Sequence, residues 1–465
     1  MEPPPLQVKP AEETTKKGAG MSASLKIKTP PGLIYPDFLD TVETASRDYL
    51  DRHQEAALVA MSEHAYTHAP LIRETWDAVG VKPSDIKSTA DFLAKAPFID
   101  KDMIRDFRDR KGDPTGGMSV SIPGETVCVG TTSGTTGDPT PVPAARTNPS
   151  EQSYARDLWH IGARPGDFVS YVMFTFRTGH RRRASAEMGI GELCFSMSPA
   201  EMPRLCEASR IYRPVSMWIM PGPLILALEQ HFERSGEDPT EVFKSYKGAI
   251  FGGEFLGHRQ RHLTKSWGLE LFETTSLGDV CGATECIMRD GFHAYEDLAF
   301  IECVDPITCE AVPDGEVGEL VVTTLADRLT PLVRYRTGDL VTINRAPCGC
   351  GRTHARFKVL GRASDQILVQ GRSVLPREIL SHVEIHSETR AGLFQIIRAT
   401  REMDELAVRI GYDLTRLHTG LADLHDRLHG ALSAAMDVKL RIELVDEQEL
   451  LKLGPPHKIP RVTKQ

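Results

Sequence analysis

Short apolar runs alternate with amphipathic segments through the middle of the chain, and this alternation limits the fold more than any other feature. The runs FVSYVMF (168–174), SMWIMP (216–221) and GAIFGGE (248–254) have the length of buried strands. Between the last two, PGPLILALEQHFERS (221–235) spaces its apolar residues as an amphipathic helix does. Strands that alternate with helices favour a mostly parallel sheet covered by helices, so we predict an α/β fold.

The chain is expected to divide into three parts. Residues 1–30 are rich in Pro, Lys and Glu and poor in large apolar side chains, which predicts a disordered leader. Residues 31–361 contain a helical start, the strand–helix alternation and a β-rich section, and we predict that they form a large N-terminal domain. Residues 362–465 have a strand–helix–strand pattern of their own, which predicts a small α+β C-terminal domain.

The composition of the 465 residues argues against several classes of function. A net charge of -9 gives no sign of the basic surface that nucleic-acid binding requires, so we predict no nucleic-acid partner. No apolar run approaches the roughly 18 residues of a membrane helix, and no signal-peptide core is found, so we predict a cytoplasmic protein without a membrane partner. The nine cysteines are an odd number, which indicates thiols or metal ligands rather than a disulfide framework.

The stretch TTSGTTGDPTPVP (131–143) combines glycines with hydroxyl side chains in a way that suits neither a helix nor a strand. Gly134 and Gly137 allow backbone N–H groups to turn inward, and neighbouring Ser and Thr hydroxyls add donors, which indicates a phosphate-binding loop. It is not the common P-loop, because Asp138-Pro139 follow the second glycine where that motif needs a lysine and a hydroxyl residue. A plain surface loop is the alternative interpretation.

Further motifs follow in order along the chain. FGGEFLG (251–257) ends an apolar run with a glycine pair, which lets a flat ligand approach the backbone. The others are ETTSLGD (273–279), RYRTGDL (334–340), GRASD (361–365) and PPHKIPRV (455–462). Singly, each is explained by a turn, a solvated carboxylate, a surface arginine or a basic tail.

Together, from Tyr35 to Val462, these motifs resemble the phenylacetate-coenzyme A ligase family of the adenylate-forming superfamily. The most specific matches are TSGTTGDPT (132–140) and PLVRYRTGDL (331–340), with GRASDQILVQGRSVLPREI (361–379) and HKIPRV (457–462) in support. The resemblance implies a large adenylate-forming domain and a small mobile C-terminal domain that carries a catalytic lysine. It also implies ATP, Mg²⁺ and coenzyme A as cofactors or co-substrates.

The resemblance assigns roles residue by residue. Thr132, Ser133, Gly134, Thr135, Thr136 and Gly137 would hold the β- and γ-phosphates of ATP; Gly252, Gly253, Glu254 and Thr275 would line the adenine and acyl site; Asp339 and Arg362 would hold the ribose; Asp279 would bind magnesium; Gly371 would line the path of coenzyme A; and Lys458 would be the catalytic residue. Two positions depart from the family pattern. Thr275 stands where the family has an aromatic residue that stacks on adenine, and Ser364 stands at the usual hinge acid, next to Asp365.

The implied reaction activates a carboxylic acid, with an aryl or arylacetic acid expected, to an acyl-adenylate and then forms a thioester with coenzyme A, releasing AMP and pyrophosphate. Attack of a carboxylate on the α-phosphate brings two anions together, so Mg²⁺ and a lysine suit the transition state.

Two alternative functions remain: an adenylyl or acyl transferase with a non-CoA acceptor, and a nucleotide-binding module without catalytic activity. The arginine-rich segment 177–183 either binds a polar group of the acid through one of its arginines or is a solvated surface. The expected partner is a small carboxylic acid, and a homodimer is left open.

Cysteines and a histidine in ECIMRDGFH (285–293) and CGCGRTH (348–354) predict a second site. Cys286, His293, Cys348 and Cys350 form a set that suits tetrahedral, structural zinc, and similar positions occur in zinc-bearing members of the resembled family. His354 is the reserve ligand. The alternative is that these cysteines are small buried hydrophobic residues.

Overall fold

The computed structural model describes residues 38–118, 127–131, 141–145, 150–173, 182–278, 280–400, 402–453 and 459–463. The predicted leader (1–30), the loop Thr132–Gly137, the segment 177–181, Asp279 and Lys458 lie outside these residues. Among the residues described, no helix is both long and apolar enough to cross a bilayer.

Several helices begin or end at residues with recognisable capping chemistry. The Ser46 side chain caps α1, Pro70 opens α2, and Asp100 caps α4, which ends at the left-handed Gly112. Gly236 ends α8 in the same left-handed conformation. The helices are α1 Arg47–His68, α2 Pro70–Ala78, α3 Thr89–Lys95, α4 Lys101–Lys111, α5 Ser150–His160, α6 Arg182–Glu187, α7 Met202–Tyr212, α8 Gly222–Ser235, α9 Pro239–Val242, α10 His258–Ser266, α11 Pro376–Val383, α12 Leu421–Met436 and α13 Glu447–Leu451.

The strands form one large sheet and three small ones. They are β1 Val127–Thr131, β2 Pro141–Ala145, β3 Phe168–Met173, β4 Gly191–Ser196, β5 Ser216–Trp218, β6 Gly248–Phe251, β7 Leu271–Leu277, β8 Cys281–Glu285, β9 Phe292–His293, β10 Ala299–Val304, β11 Val317–Thr324, β12 Tyr335–Asn344, β13 Arg356–Arg362, β14 Ile367–Val369, β15 Arg372–Val374, β16 Phe394–Ile397, β17 Glu402–Met403, β18 Leu406–Tyr412 and β19 Leu440–Asp446. The large sheet has 11 strands in the order β10-β11-β12-β13-β9-β8-β7-β6-β5-β3-β4.

The large sheet changes character at β7. Strands β4, β3, β5, β6 and β7 are parallel, as the strand–helix alternation predicts. From β8 to β10 the pairing is antiparallel, and these strands come from the β-rich section of the sequence. The predicted α/β class is therefore confirmed, with a parallel half and an antiparallel half in one sheet.

Both faces of the parallel half are buried, which explains its continuous apolar runs. On β6, Ala249 and Phe251 pack into a hydrophobic cluster with residues of α7 and α8. The residue between them, Ile250, faces the opposite cluster, to which α5 contributes Tyr154 and Leu158. Helices thus cover the sheet on both sides.

The C-terminal residues have a hydrophobic cluster of their own, which runs from Ile367 to Val462. Two three-stranded sheets contribute to it, β15-β14-β17 and β16-β18-β19, together with α11 and α12. Phe255, from the segment after β6, packs partly buried against this cluster. The C-terminal cluster therefore contacts the chain next to one of the predicted nucleotide motifs.

A buried ion pair fastens the first described residues to the loop between β12 and β13. The Nε atom of Arg352 lies 2.9 Å from Oε2 of Glu43, and the two side chains are 4% and 1% exposed. Burial opposes the charged form of Arg352, but Glu43 outweighs it and raises the arginine pKa. The other carboxylate oxygen of Glu43 accepts a hydrogen bond from the backbone N–H of Leu39 at 3.1 Å.

We predict that Glu43→Gln lowers the free energy of unfolding by about 3–5 kcal/mol, because it leaves a buried guanidinium without a counter-charge. The matched control is Asp314→Asn, which breaks the pair between Arg345 and Asp314 that is 40% and 43% exposed. That change should cost about 0–1 kcal/mol. Urea unfolding of wild type and both variants measures these free energies. Equal losses in Glu43→Gln and Asp314→Asn would show that the buried pair stabilises the fold no more than an exposed one.

Candidate functional site

The two glycines after β6, Gly252 and Gly253, lie where the backbone packs tightly against neighbouring side chains or takes a conformation that favours glycine. A Cβ atom on Gly252 would lie 2.9 Å from both Ile219 Cδ1 and Thr274 Cγ2, so a larger residue has no room. Gly253 has a φ of 101°, in the range that glycine adopts most readily. In parallel sheets, ligands bind beyond the carboxyl ends of the strands, where this glycine pair lies.

Glu254 connects this loop to the C-terminal end of the chain. Its Oε2 atom accepts a hydrogen bond from Arg461 Nη2 at 2.8 Å, and the two side chains are 15% and 14% exposed. Its Oε1 atom lies 2.4 Å from where a Cβ on Gly222 would stand, so a larger residue at the start of α8 would displace the carboxylate from this position. The loop after β6 and the terminal HKIPRV motif are therefore in contact.

Arg461 is held from its other side as well. Its Nη1 atom donates to the carbonyl of Gly392 at 2.6 Å, and its guanidinium lies 4.6 Å from the ring centre of Phe394. Three neighbours thus fix one arginine between the two parts of the chain. Arg461 lies in the terminal motif HKIPRV, which assigns it no role, and no local signal in the sequence relates it to Glu254, 207 residues away.

Main-chain hydrogen bonds set the position of residues 459–463. Ile396 donates its N–H to the carbonyl of Arg461, and Thr463 donates its own to the carbonyl of Ile396, each at 2.8 Å. The segment therefore runs parallel to β16, with Val462 opposite Ile396. Lys458 directly precedes this fixed segment and lies outside the described residues.

The motif around Thr275 lies on β7, which ends in a turn. Thr275 is partly buried and pairs with Ala283 of β8. In the turn, Gly278 has a φ of 48°, and a Cβ on it would lie 2.6 Å from Thr337 Cγ2. This turn, which immediately precedes Asp279, therefore packs against β12 close to Asp339. Two of the predicted nucleotide segments are thus adjacent, although Asp279 itself is not described.

Asp339 and Arg362 face each other across β12 and β13. They are register partners, and Arg362 Nε lies 3.1 Å from Asp339 Oδ1. The side chains are 18% and 38% exposed, so a polar ligand can reach the pair from solvent. The structure brings together the two residues that the sequence analysis assigned to the ribose.

Gly371 lies in a tight turn between β14 and β15. Gln370 and Gly371 have φ values of 52° and 78°, as the two central residues of a type I′ hairpin turn do. Their neighbours Val369 and Arg372 pair across the hairpin. The glycine is thus explained by the turn alone, and its expected contact with coenzyme A stays a prediction.

The loop 132–140 connects two strands that pair with each other. Thr131 of β1 lies opposite Pro141 of β2 in an antiparallel register. The two ends of the predicted phosphate loop are therefore held side by side, although the loop itself lies outside the described residues.

The predicted cysteine and histidine set is brought together at the end of β8, on β9 and in the loop after β12. The ligand atoms of Cys286, His293, Cys348 and Cys350 all lie within 4.8 Å of one another, and the four residues are buried. Cys286 Sγ is 3.6 Å from Cys348 Sγ, and Cys350 Sγ is 3.5 Å from His293 Nε2. Tetrahedral zinc with bonds of about 2.0–2.3 Å separates its ligands by about 3.6–3.8 Å, so the donor set fits this metal.

Hydrogen bonds orient the donors of this cluster. His293 Nδ1 lies 3.2 Å from the carbonyl of His354, which leaves Nε2 directed at the sulfur atoms. The interaction with Cys286, together with His293 and the N–H of Arg352, outweighs burial and holds the pKa of Cys350 well below that of an ordinary thiol. A thiolate is the form that binds a metal.

His354, the reserve ligand, does not take part in this set. Its Nδ1 lies 3.1 Å from the carbonyl of Ala294 and its Nε2 lies 3.0 Å from the carbonyl of Val42. The side chain instead joins the first described residues to the strand that carries His293. Sequence spacing cannot distinguish these two uses of a neighbouring histidine.

Known proteins resemble the chain over most of its length. A phenylacetate-coenzyme A ligase of Pseudomonas putida is 34% identical over 355 residues, which are 74% of this chain and 78% of that protein. A phenylacetate-coenzyme A ligase of Aromatoleum evansii is 33% identical over 398 residues, 83% of this chain and 86% of that protein.

In fold, the chain resembles a crystal structure of 2-hydroxyisobutyryl-CoA ligase in the postadenylation state in complex with 2-HIB-AMP. The TM-score is 0.79, with 95% of this chain and 94% of that chain covered at 23% identity. No protein-family model matches the chain. On the strength of the sequence identity to its relatives, the chain belongs to the phenylacetate-coenzyme A ligase family.

Proposed function

We propose that the protein is an AMP-forming acid-coenzyme A ligase. In the first step a carboxylate oxygen bonds to the α-phosphorus of ATP, the bond to the β-phosphate oxygen breaks, and an acyl-adenylate and pyrophosphate form. In the second step the thiol of coenzyme A attacks the acyl carbon, AMP leaves, and the thiol proton passes to solvent. The observation that supports this best is the contact between Glu254, after β6, and Arg461, which follows Lys458 in the terminal HKIPRV motif.

The described residues have the chemistry to bind a nucleotide between them. Asp339 is a hydrogen-bond acceptor for ribose hydroxyls, with Arg362 beside it at 3.1 Å. Gly252 and Gly253 present bare backbone at the carboxyl end of β6, where a flat adenine or the acid can lie against it. Thr275 cannot stack on adenine as an aromatic residue does, so we infer that adenine is held mainly by this backbone.

The residues proposed to bind the negatively charged phosphates and the acid carboxylate lie outside the described part of the chain. We propose that Thr132–Gly137 bind the β- and γ-phosphates and that Asp279 holds Mg²⁺, which would spread charge over the phosphates when bound. Lys458 then contacts the α-phosphate and the acid carboxylate, the two anions that must approach each other. A lysine suits this role because it is a compact charge on a flexible stem.

The proposed domain boundary at 361/362 falls before the last residue of β13, Arg362, and the residues that follow, Ala363–Asp365, form a short 3-10 helix. We propose that the parts on either side, 31–361 and 362–465, move relative to each other between the two steps. The cytoplasmic location, the homodimer and the path of coenzyme A along Gly371 stay predictions.

The acid is proposed to be aryl or arylacetic, the class named in the relatives. Pyrophosphate release should be measured across a panel of aromatic, fatty and dicarboxylic acids, with and without coenzyme A. We expect aromatic acids to give the highest kcat/KM and thioester to form only with coenzyme A. Acid-dependent pyrophosphate release without any thioester would favour a transferase with another acceptor.

We also propose that Cys286, His293, Cys348 and Cys350 hold a structural Zn²⁺. The set offers four ligands and no open position, which is typical of zinc that stabilises a fold. In this position the ion would join the end of β8 to the loop after β12.

We predict that Cys350→Ser removes about one equivalent of zinc per chain and lowers the melting temperature, because metal binding is coupled to folding of these loops. Activity per folded molecule should persist. The matched control Cys303→Ser changes a buried cysteine outside the cluster and should keep the metal. Native protein with less than roughly half an equivalent of zinc would contradict the site.

We predict that Lys458→Ala abolishes adenylate formation but leaves thioester formation from supplied acyl-adenylate nearly intact. The lysine neutralises charge only in the first step, and we expect the C-terminal part to carry it away afterwards. Lys452→Ala, which removes an exposed lysine of the same region, is the control and should behave as wild type. An equal loss in both half-reactions would refute this division of labour.

We predict that Gly137→Val impairs adenylation far more than folding, because its side chain would block a backbone approach to phosphate. Thr135→Ala and Thr136→Ala should each cost about ten- to a hundredfold, the value of about 1.5–3 kcal/mol for a hydrogen bond to a charged group. The control is Gly430→Val in α12, where a Cβ has open space. A folded and active Gly137→Val enzyme would show that this loop does not bind the phosphates.

A further inference from the structure

A second group of metal-binding side chains lies between α7 and α8, apart from the cluster around Cys286. Cys206 is on α7, His231 is on α8, and Glu237 follows the end of α8. Their ligand atoms all lie within 4.8 Å of one another. Cys206 is fully buried and His231 is 8% exposed, so two of the three donors lie in the packed interior, and Glu237 lies at its edge.

The imidazole of His231 points into this group, where its polar neighbour Glu237 lies at the long end of the hydrogen-bond range. Its Nε2 atom is buried and makes no hydrogen bond within the described part of the chain. Glu237 Oε1 lies 3.4 Å away, close enough for a charge interaction if the imidazole is protonated. Buried polar atoms are nearly always paired in folded proteins, so this nitrogen indicates an additional binding partner.

The spacing of the donors suits a tetrahedral metal ion. A nitrogen and an oxygen bound to zinc at about 2.1 Å lie about 3.4 Å apart, the separation that His231 Nε2 and Glu237 Oε1 already have. The thiol of Cys206 lies within 4.8 Å of both donors and supplies the third ligand. The Glu237 side chain is 31% exposed, so water can reach the fourth position from that side.

Arg210 does not compete for the same oxygen. Its Nη2 atom donates to Glu237 Oε2, whereas Oε1 is the atom that faces His231. A hydrogen bond to the second oxygen of a ligating carboxylate is the kind of outer contact that orients metal ligands. With one thiolate, one carboxylate and one guanidinium, the site retains one negative charge for a divalent cation.

We propose that Cys206, His231 and Glu237 bind a second divalent metal ion of zinc-like ligand preference, with water as the fourth ligand. This inference is independent of the proposed ligase activity. In the absence of a metal, burial raises the pKa of Cys206 to about 12, so the residue is then a neutral thiol rather than a nucleophile.

The ion would stiffen the helix on which the C-terminal part docks. Glu229 and Glu233, one turn apart on α8, accept contacts from Arg390 at 3.2 and 2.7 Å. His231 lies midway between them in sequence and therefore on the opposite side of the helix. A metal on that side would join α7 to α8 without taking part in the docking surface.

The test uses the full chain, stripped of metal and titrated with Zn²⁺, with bound metal counted after removal of excess. We expect wild type to bind two equivalents, and Cys206→Ser and His231→Gln to bind one each. Cys303→Ser, which alters a buried cysteine outside both groups, should still bind two. Wild type that binds one equivalent, lost in Cys350→Ser but kept in Cys206→Ser, would overturn the proposal.

A second readout begins with the wild-type protein and uses one variant at a partly exposed residue. Wild-type protein loaded with ¹¹³Cd²⁺ should give two resonances, because the shift depends on the number of thiolate ligands and the two sites differ in that number. The resonance of the site with a single thiolate should vanish in Glu237→Gln, whose altered residue is partly exposed. A single resonance in wild type, or two that survive in Glu237→Gln, would contradict a second site.

Discussion

The ion pair between Glu254 and Arg461 is the contact on which the proposed active site depends. It joins the loop after β6 to the segment that follows Lys458, across 207 residues of sequence and a distance of 2.8 Å. Gly222 makes room for the carboxylate, and Phe394 and the carbonyl of Gly392 hold the guanidinium. This pair is therefore the charged contact between the glycine loop after β6 and the terminal HKIPRV motif.

Other charged contacts between the two parts have the same polarity. Glutamates before residue 361 pair with arginines after it, in Glu233–Arg390 at 2.7 Å and Glu273–Arg377 at 3.6 Å as well as Glu254–Arg461. In each of these pairs at least one side chain is mostly buried, so separating the partners costs free energy until water solvates the freed charges. Water can solvate charges that are exposed in this way, whereas it solvates the surface of a large apolar interface poorly. This supports the proposal that the C-terminal part moves between the two half-reactions.

Short stretches of sequence are enough to predict the buried parallel strands and the residues of the metal-binding group. Apolar runs such as GAIFGGE predict the parallel strands. The group of Cys286, His293, Cys348 and Cys350 is predicted by its residue types, because cysteines and a histidine in glycine-rich loops are typical of a metal site. The facing pair Asp339 and Arg362 came from a family resemblance rather than from spacing, and the structure brings the two side chains together.

Strand pairing in the antiparallel half, the role of His354 and the group around Cys206 depend on contacts between residues that are far apart in sequence, which local patterns do not predict. The antiparallel pairing of β8 to β13 is decided by register and not by composition. His354 has the same ligand chemistry as His293, but both of its ring nitrogens lie against backbone carbonyls, a contact that sequence spacing does not predict. Cys206 had no local signal at all, because His231 and Glu237 reach it only when α8 packs against α7.

The central claim is that the acid is activated as an acyl-adenylate before it reaches coenzyme A. The most direct test supplies an aromatic acid labelled with ¹⁸O in both carboxylate oxygens, together with ATP and coenzyme A, and follows the label by mass spectrometry. One labelled oxygen should appear in every AMP, because the oxygen that bonds to the α-phosphorus leaves with the nucleotide, and none should appear in pyrophosphate. Unlabelled AMP, or label in pyrophosphate or inorganic phosphate, would contradict the account.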